Sequence, residues 1–224
     1  MTEAIEAEDV TVVQLVEGAT YSISTAIQIQ ARRNLTIVGG RGAAADGRAT
    51  QLVVDGASEF AIVHGFLRLE GVTLVGTESR RRQLAVDALA NATAALQPLL
   101  RSEGGTIEVM RSSVRTATGG SAISSANGTV LLQSSQIFGA VLADATNLSV
   151  EDSSFADAVP LLQLKASALK LGTDVRFEAE APTSMSALVT ADETSAIQYS
   201  SNVTGTVWQT LSDLLVCPAG SAIN

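Results

Sequence analysis

The 224-residue chain has little positive charge and few residues suited to redox or metal chemistry. Its only lysines are Lys165 and Lys170, it has one histidine and one cysteine, and its formal net charge at pH 7 is −9. Nucleic acid is therefore an unsuitable partner, because binding it requires basic side chains that neutralise phosphates. An anionic membrane surface is unsuitable for the same reason. The lone Cys217 has no partner for an internal disulfide, and pairing with a cysteine outside this chain is the better expectation.

Apolar residues are plentiful, but they are small and occur in short runs. The chain is 46% hydrophobic and only 4% aromatic, so Val, Ile, Leu and Ala must fill the core. No apolar run reaches the length of a membrane span, and we expect no membrane insertion. The acidic residues 2–9 lack a secretory apolar region. Small, uniform side chains suit stacked layers in which each position packs on its own copy.

One eight-residue pattern recurs along the chain, with apolar residues at positions one, three and eight and serine at position six. Clear copies begin at Ile107, Val130 and Leu148, and looser copies begin at Leu67, Leu169 and Ile197. A first half stands at Leu35–Gly40. From position 107 onward the steps between copies are 23, 18, 21 and 28 residues, which are single-coil lengths of a solenoid.

Two further short apolar segments accompany most copies of the pattern. One lies before it, as in Ser121–Ile123 and Ala140–Leu142, and one begins with the Ser-x-apolar element at its end. A step of 18 residues that already holds three strands leaves no room for a helix. The sequence therefore predicts an all-β, single-stranded parallel β-helix with three short strands per coil.

The domain organisation follows from where this pattern begins, is interrupted and ends. We expect a tail or cap at residues 1–9, a β-helix at 10–216, and the start of a cysteine-rich segment at 217–224. Residues 78–104 interrupt the repeat. An Ala/Leu-rich run within them fits a short helix at 83–96, with an irregular coil as the alternative.

Several phrases of the sequence resemble known families. The turn Gly18-Ala-Thr-Tyr21 and the segment Asn34–Gly40 resemble the opening coils of the pectin-lyase-like superfamily, and the resemblance extends over Val10 to Val216. It implies a right-handed parallel β-helix. Gly119–Ile123 resembles a phrase of polymorphic-outer-membrane-protein-like surface proteins, whose Phe-x-x-Asn phrase is absent here. Cys217-Pro-Ala-Gly resembles the start of cysteine-rich modules that follow β-helices in large surface proteins.

Five Asn-x-Ser/Thr sequons favour a glycosylated protein that is extracellular or on the cell surface. They lie at Asn34, Asn91, Asn127, Asn147 and Asn202. Asn34, Asn127 and Asn147 also stand at or near the start of a repeat, where stacked asparagines could form a buried hydrogen-bonded ladder. A buried ladder and glycosylation of the same residues exclude one another.

Catalytic signals are weak. His64-Gly65 matches the His-Gly of polygalacturonase-like β-helices, but the paired carboxylates that a glycosidase needs are missing. The resemblance to pectate lyases would make Asp157, Glu178 and Glu180 candidate Ca²⁺ ligands and Arg176 the candidate base. A solvated acidic face is the preferred interpretation of these carboxylates, because metal ligands must converge.

The sequence therefore favours a non-catalytic extracellular module without a cofactor. It would act as a structural spacer or in adhesion or glycan binding, with a polysaccharide or a surface glycoprotein as partner. A Ca²⁺-dependent pectate-type polysaccharide lyase is the alternative, and it rests on analogy of fold alone.

Overall fold

The computed structural model describes residues 10–40, 49–55, 58–77, 97–116, 120–158, 160–178, 189–199 and 215–216. These residues form three parallel sheets, which we name A, B and C. The strands of sheet A are β1 (Val12–Gln14), β4 (Asn34–Val38), β7 (Phe66–Glu70), β10 (Thr106–Met110), β13 (Thr129–Gln133), β16 (Asn147–Glu151), β19 (Ala168–Leu171) and β22 (Ala196–Tyr199).

Sheets B and C are built in the same way. The strands of sheet B are β2 (Thr20–Ile23), β5 (Thr50–Val54), β8 (Val72–Gly76), β11 (Ser113–Arg115), β14 (Gln136–Phe138), β17 (Ser154–Ala156) and β20 (Arg176–Glu178). The strands of sheet C are β3 (Ile27–Ile29), β6 (Phe60–Val63), β9 (Leu100–Glu103), β12 (Ser121–Ala126), β15 (Ala140–Asp144), β18 (Leu162–Lys165), β21 (Val189–Ala191) and β23 (Leu215–Val216).

The chain passes through sheets A, B and C in the same order in each coil, and each strand pairs in parallel with its equivalents in the neighbouring coils. The molecule is a right-handed parallel β-helix with three strands per coil, as expected. Seven coils contribute a strand to every sheet, and the described part of an eighth contributes β22 and β23. Within the described residues there is no helix long and apolar enough to cross a membrane.

The register of sheet A confirms the repeat found in the sequence. Ile107 pairs with Val130, Val130 with Leu148, Leu148 with Leu169, and Leu169 with Ile197. These residues are the first positions of successive copies, and all are buried. Because side chains alternate across a strand, one register fixes which residues of every copy face the core.

Stacked columns of like residues build the core. In sheet C the column contains one buried apolar residue from each coil, namely Ile27, Phe60, Leu100, Ile123, Val141, Leu162 and Val189. In sheet B the rings of Phe155 and Phe177 stack with centroids 5.2 Å apart. Full burial of a Val, Leu, Ile or Phe side chain stabilises the fold by roughly 1.5–3 kcal/mol. Columns built mainly of aliphatic residues therefore suffice for a long core.

The corner between sheets A and B carries a ladder of buried hydroxyls. Ser112, Ser135 and Ser153 follow residues with positive φ, and each hydroxyl donates to the carbonyl two residues before it at 2.7–2.8 Å. Each also accepts a backbone N–H from the preceding coil, with Val72, Ser112 and Ser135 as the donors. The serine at position six of the repeated pattern therefore lines this turn and bonds the coils to one another.

The corner between sheets C and A is formed by glycines in the early coils and by hydroxyl residues in the later coils. The early coils have Gly65, Gly105 and Gly128 here, and a methyl group on Gly128 would lie 2.5 Å from the carbonyl oxygen of Gly105. The later coils have Thr146, Ser167 and Ser195 in this place. There the hydroxyls of Ser167 and Ser195 accept backbone N–H groups from Thr146 and Ser167 at 3.0 Å. The first coils pack by close backbone approach and the later ones by hydroxyl hydrogen bonds.

Several expectations concern residues outside the described ranges. These are the tail at 1–9, the helix at 83–96, and the cysteine-rich segment at 217–224. Of the expected irregular segment 78–104, the structure describes residues 97–104, and Leu100–Glu103 form the regular strand β9 of sheet C.

Candidate functional site

The outer face of sheet C has two columns of side chains, which contain polar groups in the later coils. The first column passes through Ser124, Leu142, Gln163 and Thr190, which pair in register. The second column passes through Ala126, Asp144 and Lys165. Asp192 continues it, since it follows Ala191, the partner of Leu164. Neighbouring strands lie about 4.8 Å apart, so the polar groups of these columns share one surface, with Ala126 and Leu142 among them.

A shallow groove of about 490 Å³ follows these two columns; we call it the sheet C groove. Its lining side chains are Ser124, Ala126, Leu142, Asp144, Gln163, Lys165, Thr190 and Asp192. The amide, hydroxyl and charged groups supply both hydrogen-bond donors and acceptors. Such a surface suits a ligand that presents hydroxyl groups along its length.

An ion pair between neighbouring coils crosses the floor of the groove. Lys165 Nζ lies 2.9 Å from Asp144 Oδ2, and the two side chains are 72% and 51% exposed. The hydrogen bond to Asp144 and the attraction of its charge raise the pKa of Lys165 above its usual value, and Asp192 adds to this. Solvent screens such a pair strongly, so its contribution to stability is small. Its role in the groove is to neutralise one carboxylate.

Asp192 is held by a different set of contacts. Its carboxylate accepts hydrogen bonds from the Ser195 hydroxyl at 2.6 Å, the Ala166 N–H at 3.0 Å and the Thr194 hydroxyl at 3.1 Å. The hydrogen bond from Ser195 lowers the pKa of Asp192, and those from Ala166 and Thr194 act in the same direction against the opposing effect of burial. The group is therefore ionised at neutral pH and engaged in the fold.

The contact with Ala166 shows why an aspartate stands at position 192. Asn127, Ala145 and Ala166 have positive φ at the corner between sheets C and A. The first two donate their N–H to a carbonyl of the next coil, Asn127 to Asp144 and Ala145 to Lys165, at 2.8–2.9 Å. At Ala166 the acceptor is the Asp192 carboxylate instead. The turn at residues 193–194 lengthens the next coil, and the side chain replaces the carbonyl.

A second ion pair lies on the same face, in earlier coils. Arg101 donates from Nε and one terminal nitrogen to the same Glu59 oxygen, at 3.0 and 2.8 Å. The hydrogen bond with Glu59 raises the pKa of Arg101, which is partly exposed. Glu59 is 9% exposed, so this carboxylate is accounted for within the fold and is not open to a ligand.

His64 lies at the corner between β6 and β7, where its contacts support the turn. Its φ is 54°, its backbone N–H donates to the carbonyl of Glu103 at 2.9 Å, and its ring covers Gly104. A methyl group on Gly104 would lie 2.3 Å from Nδ1 of His64. In the described part of the chain His64 forms no ion pair, so no carboxylate orients it as a base.

The residues of the lyase hypothesis lie away from the sheet C groove. Arg176 and Glu178 point outward from β20 of sheet B, and Glu178 pairs with Ala156, one residue before Asp157. Asp157 lies at a corner with φ 63°, and Glu180 lies outside the described residues. Among described residues, no three His, Cys, Asp or Glu side chains are placed to hold a metal ion.

The sequon asparagines do not form a ladder in the described coils. Asn34 and Asn147 are exposed on the outer face of sheet A and belong to strands that are not neighbours, and Asn127 is an exposed corner residue with positive φ. Asn91 and Asn202 lie outside the described residues. The buried contacts expected of asparagine are made instead by serine and threonine hydroxyls.

Sequence reasoning missed Gln163, Thr190 and Asp192 as members of one surface. Aligning the repeats would find part of this surface, because Asp144 and Lys165 each precede the first position of a repeat by four residues. Asp192 precedes Ile197 by five residues, since its coil has a longer turn, and no fixed offset would find it.

Comparison with known proteins gives no relative. The chain matches no protein-family model, no curated protein and no solved structure at a significant level. The fold therefore rests on the register of the three sheets, and the function on the chemistry of the outer faces.

Proposed function

We propose that this protein is a non-catalytic extracellular β-helix module, a rigid spacer that binds a neutral glycan in the sheet C groove. The amide, hydroxyl and charged side chains that line this groove across the strands β12, β15, β18 and β21, with Leu142 among them, carry the proposal. A solenoid offers its long regular face as a working surface. The phrases that resemble the pectin-lyase-like superfamily support a carbohydrate ligand and a place in that superfamily.

The charges in and beside the groove favour a neutral ligand over an acidic one. Glu103, Asp144 and Asp192 lie at the same edge of sheet C, where Lys165 is the single lysine. With a net charge of −9 over the whole chain, an acidic polysaccharide would be repelled as it approached. Gln163, Ser124 and Thr190 offer uncharged donors and acceptors for sugar hydroxyls.

The ion pair of Asp144 and the hydrogen bonds of Asp192 support binding rather than catalysis in the sheet C groove. Hydrolysis of a glycosidic bond needs one carboxyl group that keeps its proton and a second that acts as base or nucleophile. Asp144 is paired with Lys165, and the contacts of Asp192 lower its pKa, which is the wrong direction for a general acid. The groove can hold a sugar chain without supplying the acid.

Retention of the purified full chain on immobilised neutral and acidic polysaccharides, with and without Ca²⁺, tests the proposal. We expect retention on a neutral polymer, independent of Ca²⁺, and no release of unsaturated products that absorb ultraviolet light. Absence of retention on every polymer would remove the binding function. Ca²⁺-dependent ultraviolet absorbance would overturn the non-catalytic assignment in favour of a lyase with Asp157, Glu178 and Arg176.

A pair of glutamine variants locates the site. Gln163→Ala in the groove should weaken retention about tenfold, which corresponds to ~1.4 kcal/mol. Gln136→Ala is the matched control, because Gln136 is also exposed but lies on β14 of sheet B. Equal retention of the two variants would place the binding site elsewhere on the molecule.

A further inference from the structure

The outer face of sheet A contains two sequons in equivalent positions. Asn34 and Asn147 each begin a strand of this sheet, and the hydroxyl residue of each sequon, Thr36 or Ser149, lies two residues later. Residues two apart in a strand point to the same face. Both asparagines are exposed, and both hydroxyl residues are half-buried on the same outer face.

The neighbours of Asn147 leave space for an attached sugar. Asn147 pairs with Thr129 on one side and Ala168 on the other, and Ala168 pairs with Ala196. A shallow groove of about 260 Å³ lies over these small residues, which we call the sheet A groove. Its lining includes Thr129, Leu131, Ser149, Ala168, Lys170 and Gln198.

The chemistry of the sheet A groove suits the first sugars of an N-linked glycan. Lys170, Ser149 and Gln198 can hydrogen-bond sugar hydroxyl and amide groups. Leu131 and the methyl group of Ala168 offer apolar contact to the ring face. Asn34 has a different neighbour, since it pairs with the half-buried Phe66, whose ring is a surface on which a sugar could pack.

Attachment at these positions costs the fold no existing contact. Within the described residues, neither the Asn34 nor the Asn147 amide group has a hydrogen-bond partner. Their backbone groups pair within sheet A and are not altered by the modification. Bulky N-linked glycans require such solvent-facing positions.

We infer that the outer face of sheet A is the glycosylated side of the molecule: Asn34 and Asn147 carry N-linked glycans, and the first sugars on Asn147 lie in the sheet A groove. The inference rests on the extracellular location in the proposed function. It deepens that function, because glycans on the outer face of sheet A leave the sheet C groove open to its ligand.

Site occupancy is the first test. The full chain, expressed behind a secretion signal in a eukaryotic host with Asn91→Gln, Asn127→Gln and Asn202→Gln, should carry two glycans by intact mass. Thr36→Val and Ser149→Ala keep the asparagine but destroy its sequon, and each should remove the mass of one glycan. A folded, secreted protein with both sites unoccupied would overturn the inference.

The second test concerns the sheet A groove. Enzymatic release of the glycan from the native protein should be several-fold slower at Asn147 than at Asn34, and Lys170→Ala with Gln198→Ala should remove the difference. Equal release rates before these changes would exclude the groove as the place of the first sugars. Polysaccharide retention by unglycosylated protein tests the sheet C groove independently, so a failure of either proposal can be recognised by itself.

Discussion

The side-chain oxygen of Ser135 accepts the backbone N–H of Ser112 from the preceding coil, at 3.3 Å. The same hydroxyl shares its one proton between the carbonyls of Gln133 and Val109, at 2.7 and 3.0 Å. Ser135 is 2% exposed, so no solvent replaces these contacts when they are lost. One buried hydroxyl thus satisfies polar backbone groups of two coils at the corner where the sheet ladders are interrupted.

Ser135→Ala should therefore lower the free energy of unfolding by about 1–3 kcal/mol, because the buried Ser112 N–H loses its acceptor and the Val109 carbonyl loses the hydroxyl. Ser134→Ala is the control, since the Ser134 hydroxyl contacts Asp152 in an exposed position and such changes stay within about 0.5 kcal/mol. Urea unfolding followed by circular dichroism measures both. A difference of less than about 0.5 kcal/mol between the variants would show that the ladder does not contribute to stability.

Ser102, unlike Ser135, is a buried serine whose removal should not destabilise the fold. It is 2% exposed and faces the core beside Ser125, but its hydroxyl has no hydrogen-bond partner among the described residues. An unpaired buried hydroxyl costs about 1–3 kcal/mol, so Ser102→Ala should be neutral or stabilising in thermal unfolding. Ser125→Ala should be the more destabilising change, because the Ser125 side-chain oxygen is one of three acceptors that share the Thr146 hydroxyl proton, at 3.2 Å. If Ser102→Ala proved the more destabilising of the two, its hydroxyl would have to be paired in solution.

The lowered pKa of Asp192 predicts a pH dependence. A carboxyl group whose pKa is lower in the folded than in the unfolded chain stabilises the fold above its unfolded pKa of about 3.9, and this stability is lost as the pH falls through the folded pKa. Asp192→Asn should therefore reduce the Tm clearly at pH 6 and progressively less toward pH 2. Parallel Tm curves for the two proteins across this range would contradict the role of the ionised carboxylate.

The repeat in sheet A could be predicted from the sequence because burial imposes alternation on every strand. The first positions of the copies at 107, 130, 148, 169 and 197 pair with one another in the structure as the spacing indicated. The same alternation could not show whether the asparagines form a ladder, because that depends on which strands are neighbours. Asn34 and Asn147 occupy the same column but belong to strands that are not neighbours, so they cannot bond to each other.

The candidate lyase residues show where sequence spacing fails. Asp157 and Glu178 each lie nine residues after the first position of a copy, Leu148 or Leu169, but the register pairs Glu178 with Ala156 and leaves Asp157 at a corner. A shift of one residue turns a side chain to the other face of a strand or into a turn. Corner geometry, which depends on single positive-φ residues, decided this difference.

The sequence by itself determined the stacked β-helix, since its apolar period and step lengths admit three short strands per coil and leave no room for a helix within the 18-residue coil. Its small aliphatic residues also determined a core of stacked columns. Only the tertiary structure decided which polar residues share a surface. Asp144, Lys165 and Asp192 meet because the strands of sheet C pair across coils of different length, and each turn absorbs its extra residues before the register resumes. Contacts between coils depend on that pairing, which no single stretch of the chain contains.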